Sequence, residues 1–191
     1  LTEPEPAFHV LKFHETFCPS AFTFHSIAVG LRDLGMTMNP QGAHYTLMGI
    51  ETLSLRMQKH VENAVKVAKW LEADDRIETV TYAGLESSPY YDRIARICPN
   101  GAGALFTFAV KGGYDNCVRL IDAVELFSHV AYFGDARSLI IHSASTTHRL
   151  LTYEQRAASG ALPNVVRVSI GIEDADDLIA DLAQALTKAH A

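Results

Sequence analysis

The segment Val165-Val-Arg-Val-Ser-Ile-Gly-Ile172 runs directly into Glu173-Asp-Ala-Asp-Asp-Leu-Ile-Ala-Asp-Leu182, and the change of period between them decides the fold. In the first, alternation puts Val166, Val168, Ile170 and Ile172 on one face and Arg167, Ser169 and Gly171 on the other, the pattern of a strand with one side on a core. In the second, Leu178, Ile179, Leu182 and Leu186 recur at helical spacing. Asp174 is a good N-cap there, and Asp176 and Asp177 fall in the first turn, where the helix dipole favours negative charge. A strand followed by a closing helix predicts a layered α/β or α+β domain. Arg167 faces away from the core among small neighbours, with room for its planar guanidinium to receive a carboxylate through two parallel hydrogen bonds. A solvated arginine on a sheet surface has the same pattern.

Outward from this segment, Leu53, Met57, Val61, Val65, Ala68 and Leu71 recur every three or four residues and predict one amphipathic helix, beginning at Ile50, of about six turns. A helix near 30 Å long, at about 1.5 Å per residue, often joins two bodies. The domain boundary is therefore placed inside it, with residues 1–60 ending one domain and starting the bridging helix, and residues 61–191 forming another. Ile77–Tyr82 and Gly103–Val110 read as strands, the second stopped by Gly112-Gly113. Asn116–Phe127 has helical spacing, and Leu139–Ile141 is a short apolar run. Upstream, Phe22–Leu34 is compatible with a helix ended by Gly35, while Pro40 and Gly42 are expected to break the chain. The rest of residues 1–49 has no clear period.

With 191 residues, 48% of them hydrophobic and 20% charged, the chain can bury a real core. A formal charge of −6 and the absence of a Lys/Arg cluster argue against a nucleic-acid surface. Apolar runs of about five residues fall far short of the roughly 20 that cross a bilayer, so a soluble protein is expected. The 3 cysteines, Cys18, Cys98 and Cys117, have no CxxC spacing and suit a reducing compartment, the cytoplasm by default. The sequence opens on Leu1 rather than Met, and Thr2–Pro6 reads as a surface loop entered from chain upstream.

Other polar groupings have modest readings. His142 and His148 flank Ser145, Thr146 and Thr147, but their spacing lacks a nearby third metal ligand, and no GxSxG elbow accompanies the hydroxyls. A loop whose hydroxyls and imidazoles bond to backbone is the better reading. Gly101, Gly103, Gly112 and Gly113 lead into or out of a strand rather than onto a phosphate-binding helix, and read as turns. Glu173, Asp174, Asp176 and Asp177 lack the calcium-loop spacing and fall where a helix start wants negative charge. No metal is expected.

In order along the chain, Gly49-Ile-Glu-Thr-Leu-Ser-Leu-Arg-Met57, His60-Val-Glu-Asn63, Ser88-Pro-Tyr-Tyr91, Leu126-Phe-Ser-His129, Gly134–His148 and Val166–Asp177 resemble the fold-type I pyridoxal-phosphate (PLP) enzymes of cysteine and methionine metabolism. That family includes cystathionine synthases and lyases, methionine γ-lyases and O-acetylhomoserine sulfhydrylases. The resemblance covers nearly the whole chain. Ser145-Thr-Thr-His148 together with Gly134-Asp-Ala-Arg-Ser-Leu139 is most similar to the sulfhydrylase branch. The resemblance implies the end of a large PLP-binding domain, followed by a C-terminal α+β domain whose small, mainly antiparallel sheet is covered by helices. It implies a transferase of methionine biosynthesis, a cytoplasmic homotetramer, replacing the acetate of O-acetyl-L-homoserine by sulfide to give L-homocysteine. Arg167 matches the family arginine that holds the substrate α-carboxylate, and Tyr132 and Thr147 fall among the substrate-binding positions.

Two positions depart from the family pattern. Tyr132 stands where relatives tend to have a small Ser or Asn, so a phenol either bonds the carboxylate or narrows the pocket, and Ser143 stands where HPAS is usual. A methionine or cystathionine γ-lyase, or another γ-substitution enzyme, therefore stays open. The cofactor lysine, expected in an S-x-T-K setting, matches none of Lys12, Lys59, Lys66, Lys69, Lys111 or Lys188. The expectation is that it lies upstream, in an amino-terminal part of the same enzyme, and that this chain alone carries no catalytic residue and is inactive. A non-catalytic remnant that binds a full-length relative is the remaining alternative.

Overall fold

The computed structural model describes residues 1–191, which fall into two units, Leu1–Glu51 and Thr52–Ala191. The first is helical: a 3-10 turn at Pro6–Phe8, α1 (Phe13–Phe17), α2 (Ala21–His25), a π-helical stretch Ser26–Leu31, α3 (Arg32–Leu34) and α4 (Pro40–Glu51). The helical spacing over Phe22–Leu34 is realised with a widened middle, where the Ser26 hydroxyl donates back to the Phe22 carbonyl at 2.8 Å. It ends on Gly35 with φ of +66°, a left-handed cap that glycine adopts without strain. Pro40, expected to break the chain, instead opens α4. A first helical position needs no N–H, and Asn39 caps the turn by accepting from the Gly42 amide at 2.7 Å.

The second unit begins with α5 (Leu53–Glu72), 20 residues long and separated from α4 at Thr52, so the helix expected from Ile50 starts slightly later. Its buried side is His60, Asn63, Ala64, Val67, Ala68 and Leu71, rotated from the apolar stripe because two polar side chains are drawn inward. There follow β1 (Ile77–Thr81), α6 (Tyr91–Ile97), β2 (Leu105–Val110), α7 (Gly113–Ala123), β3 (Leu139–His142), α8 (Tyr153–Ala158), β4 (Val165–Ser169) and α9 (Ala175–Ala189). The strands form one 4-stranded sheet in the order β1-β2-β4-β3, with every neighbouring pair antiparallel. Phe106, Phe108, Val166 and Val168 of the sheet, with Ile170 just beyond β4, share one core with Val67 and Leu71 of α5, Leu120 of α7, and Leu178, Leu182 and Leu186 of α9. This is the small antiparallel sheet with helical cover that the resemblance implies. No helix is long and apolar enough to cross a membrane.

Two expected boundaries moved for one kind of reason, a competing acceptor or donor. Apolar spacing carried the middle helix to Phe127, yet α7 stops at Ala123. The amides of Glu125, Leu126 and Phe127, at 2.8, 2.8 and 3.1 Å, donate to the Asp181 carboxylate on α9 instead of to carbonyls one turn back. Burial opposes ionisation of Asp181, but these donors and Gln184 outweigh it and hold the carboxyl below its ordinary value. Likewise β4 ends at Ser169 rather than Ile172, because Gly171 and Ile172 bond outside the ladder.

Candidate substrate site at the end of the sheet

Alternation in β4 does what the sequence requires. Val166, Val168 and Ile170 are fully buried, and Arg167 points from the opposite face between Thr107 of β2 and Ile141 of β3. The Arg167 side chain is half-buried and has neither a carboxylate partner nor a hydrogen bond, while its backbone pairs with β2 and β3. Of its two register partners, Ile141 is buried and Thr107 is half-buried. A half-buried guanidinium with its five N–H donors unspent can take a planar anion such as a carboxylate.

The carboxyl end of β4 is held from two directions. From α5, His60 Nδ1 meets the Ile170 carbonyl at 2.6 Å, and Asn63 Nδ2 donates to the carbonyls of Gly171 at 3.1 Å and Glu173 at 2.7 Å. This gives the His60-Val-Glu-Asn63 match a physical role. From the loop before β3, the Ser138 hydroxyl receives the Gly171 amide at 2.7 Å and donates to Glu173 Oε2 at 2.9 Å, while its amide donates to Oε1 at 2.6 Å. From the same loop, Gly134 N–H donates to Ser169 Oγ at 3.1 Å. Glu173 is thus an anchor for the loop, not a helix-start charge as its position in an acidic run had indicated; Asp174 is the cap, accepting from the Asp176 amide at 2.8 Å. A Cβ on Gly171 would strike the Ala136 carbonyl, so only glycine allows this approach.

Tyr132 sits in that loop, 60% exposed and stacked on Phe133, 62% exposed, with ring centroids 5.7 Å apart. Thr147 lies exposed beyond β3 and shares a hydrogen bond with His148 Nδ1 at 2.8 Å. The turn that carries it closes on backbone, as the sequence indicates: Ser145 and Thr146 hydroxyls donate to the His142 carbonyl at 3.1 and 2.9 Å. His142 itself is buried, its Nε2 against the Pro163 carbonyl at 2.8 Å and its Nδ1 against Ser145 Oγ at 3.0 Å. Because a carbonyl only accepts, the proton belongs on Nε2. Burial lowers its pKa, the Pro163 bond opposes this, and the nearby Arg156 charge adds to it. Cys117 is a core residue whose thiol burial pushes up to about 12, which removes it as a nucleophile. Sequence reasoning missed Asp181, Ser138 and the anchoring role of Glu173, since each acts on backbone far away in sequence.

The model of the Cys/Met metabolism PLP-dependent enzymes matches residues 10–187. The chain belongs to this family. It is 44% identical over 186 residues to O-acetyl-L-homoserine sulfhydrylase 1 of Thermus thermophilus, covering 97% of this chain and 44% of that protein. It is 44% identical over 184 residues to homocysteine synthase of Schizosaccharomyces pombe, covering 96% of this chain and 43% of that one. The fold matches, at a TM-score of 0.86 and 40% identity, a crystal structure from Campylobacter jejuni assigned as an O-acetylhomoserine (thiol)-lyase and holding N'-pyridoxyl-lysine-5'-monophosphate. That match covers 97% of this chain and 44% of the other, so the chain spans less than half the length of these family members.

The family cofactor needs a lysine, and the residues of this chain do not fit it. Lys12, Lys66 and Lys188 are paired with Glu15, Asp176 and Glu125, and Lys111 donates to the Asp75 carbonyl. Lys59 and Lys69 lie on α5, and no lysine stands on a strand beside Arg167.

Proposed function

We propose that this chain is the C-terminal portion of a PLP-dependent O-acetyl-L-homoserine sulfhydrylase, in which acetate on the γ-carbon is replaced by sulfide to give L-homocysteine. The observation that carries the reading is Arg167, its side chain half-buried and without a partner, within the Val166–Asp177 match. Identity to a sulfhydrylase and a homocysteine synthase supports the branch.

In this reading residues 1–60 end the large cofactor domain and residues 61–191 close over the substrate. The bond-making chemistry belongs to the cofactor, held by an amino-terminal part of the enzyme. The share of this chain is to bind and orient. Arg167 takes the α-carboxylate in two parallel hydrogen bonds, which fixes the rotation of the substrate about its Cα and so the direction of the Cα proton. Tyr132 and Thr147 border the remainder of the substrate. The working assembly is a cytoplasmic homotetramer.

The test uses the complete enzyme with O-acetyl-L-homoserine, with and without sulfide. Homocysteine and acetate that form only with sulfide support the reading. Oxobutyrate formed at the same rate in either case would replace it with a γ-lyase.

A further inference from the structure

The loop between Ser128 and Leu139 has a construction that substrate binding by Arg167 alone does not explain. Its ends are stitched together by Ser128 N–H to the Ser138 carbonyl and Ile140 N–H to the Ser128 carbonyl, each 3.0 Å. Between these ends, Gly134 N–H is held by Ser169 Oγ at 3.1 Å and the Ala136 carbonyl by Ile172 N–H at 2.9 Å. Ser169 lies on the same face of β4 as Arg167, two positions along. Its hydroxyl is the link between the strand that carries the arginine and the loop that carries Tyr132 and Phe133. The return of the loop is fixed by Glu173, whose carboxylate takes both the amide and the hydroxyl of Ser138. An ionised acceptor makes these bonds stronger than neutral ones. The two aromatic rings at the tip remain exposed, so the loop is rigidly based and open at its end.

We propose that Ser169 and Glu173 are positioning residues that hold the Tyr132–Gly134 loop at a fixed place beside Arg167, making the loop the element that selects the acyl end of the substrate while Arg167 holds its carboxylate. The inference rests on the proposed function and deepens it. Neither residue touches substrate; each acts through the loop.

The test compares the complete, PLP-loaded enzyme with its S169A, S169T and E173Q variants. Amide hydrogen exchange is followed over residues 130–137 against residues 166–168, and kcat and KM are measured separately for O-acetyl- and O-succinyl-L-homoserine. For S169A and E173Q we expect exchange of the loop to quicken about tenfold with the strand unchanged. KM for the preferred ester should rise about tenfold with kcat within about twofold, and discrimination between the esters should shrink. S169T, which keeps the hydroxyl, should restore both; E173Q keeps side-chain volume, so its loss reads the carboxylate alone. Unchanged loop exchange overturns the proposal, as does a fall in kcat of equal size for both esters. R167A run in parallel separates the two readings. If R167A has no effect while S169A loosens the loop, the proposed function fails and the pinning stands. If R167A is deleterious while S169A and E173Q are silent, this inference fails and the proposed function stands.

Discussion

Arg167 and Gly171 show how much a single position in this strand is constrained. Arg167 is valuable because its donors are unspent, and the same is not true of lysine in its place: a compact ammonium cannot hold both oxygens of a carboxylate in a plane. Gly171 is constrained from the other side. In G171A, the new Cβ would lie 2.6 Å from the Arg137 carbonyl carbon, backbone that cannot swing aside. We expect a loss of about 1–3 kcal/mol, read as a lower urea midpoint at unchanged slope. The orientation of Arg167 was legible from alternation alone, because Val166, Val168 and Ile170 are the core residues that the pattern requires. The burial of Ile141 beside it was not, since β3 comes from elsewhere in the chain.

At the scale of elements, α9 ties down both sides of the unit. Asp181 holds three successive amides of the segment after α7, and Arg76 reaches from its Asp74 pair to Thr187 Oγ1 at 2.9 Å. D181N removes the charge and turns an amide donor toward backbone donors. A loss of about 2–4 kcal/mol is expected in urea unfolding. The pH dependence follows from the direction of the shift. A carboxyl held below its ordinary value stabilises fully above the unfolded pKa of about 3.9, and that stability is lost as pH falls through the folded value. The acid limb of a stability–pH curve should therefore be shallower in D181N than in the parent. Periodicity placed β1, β2, β4 and α9, whereas β3, buried at every position, shows no alternation and reads only as a short apolar run. It overran α7, where Val124 and Leu126 continue the apolar spacing while the amides of Glu125, Leu126 and Phe127 are claimed by Asp181. It failed through α4, which buries no residue in this structure and so has no core-facing stripe to read.

Across the whole molecule, the segment from Ser143 to Leu162 is closed at both ends by one imidazole, since His142 meets Ser145 near its start and Pro163 at its finish. Burial keeps His142 neutral, so its contribution is present above the unfolded pKa of about 6.5 and is lost as pH falls through the lower folded value. The urea midpoint should fall between about pH 7 and pH 5, and H142Q should remove that part of the slope. The family and its closeness to the sulfhydrylases were legible because many short motifs occur in one order. What could not be read was how the motifs touch: His60, Asn63, Ser138 and Glu173 meet only at the end of β4. The most direct measurement is kcat/KM of the complete enzyme for O-acetyl-L-homoserine in R167A. A fall of about 100-fold or more, near 2.7 kcal/mol of lost transition-state binding, is the predicted result. A value equal to that of the unmodified enzyme would contradict the assignment of Arg167 as the carboxylate clamp.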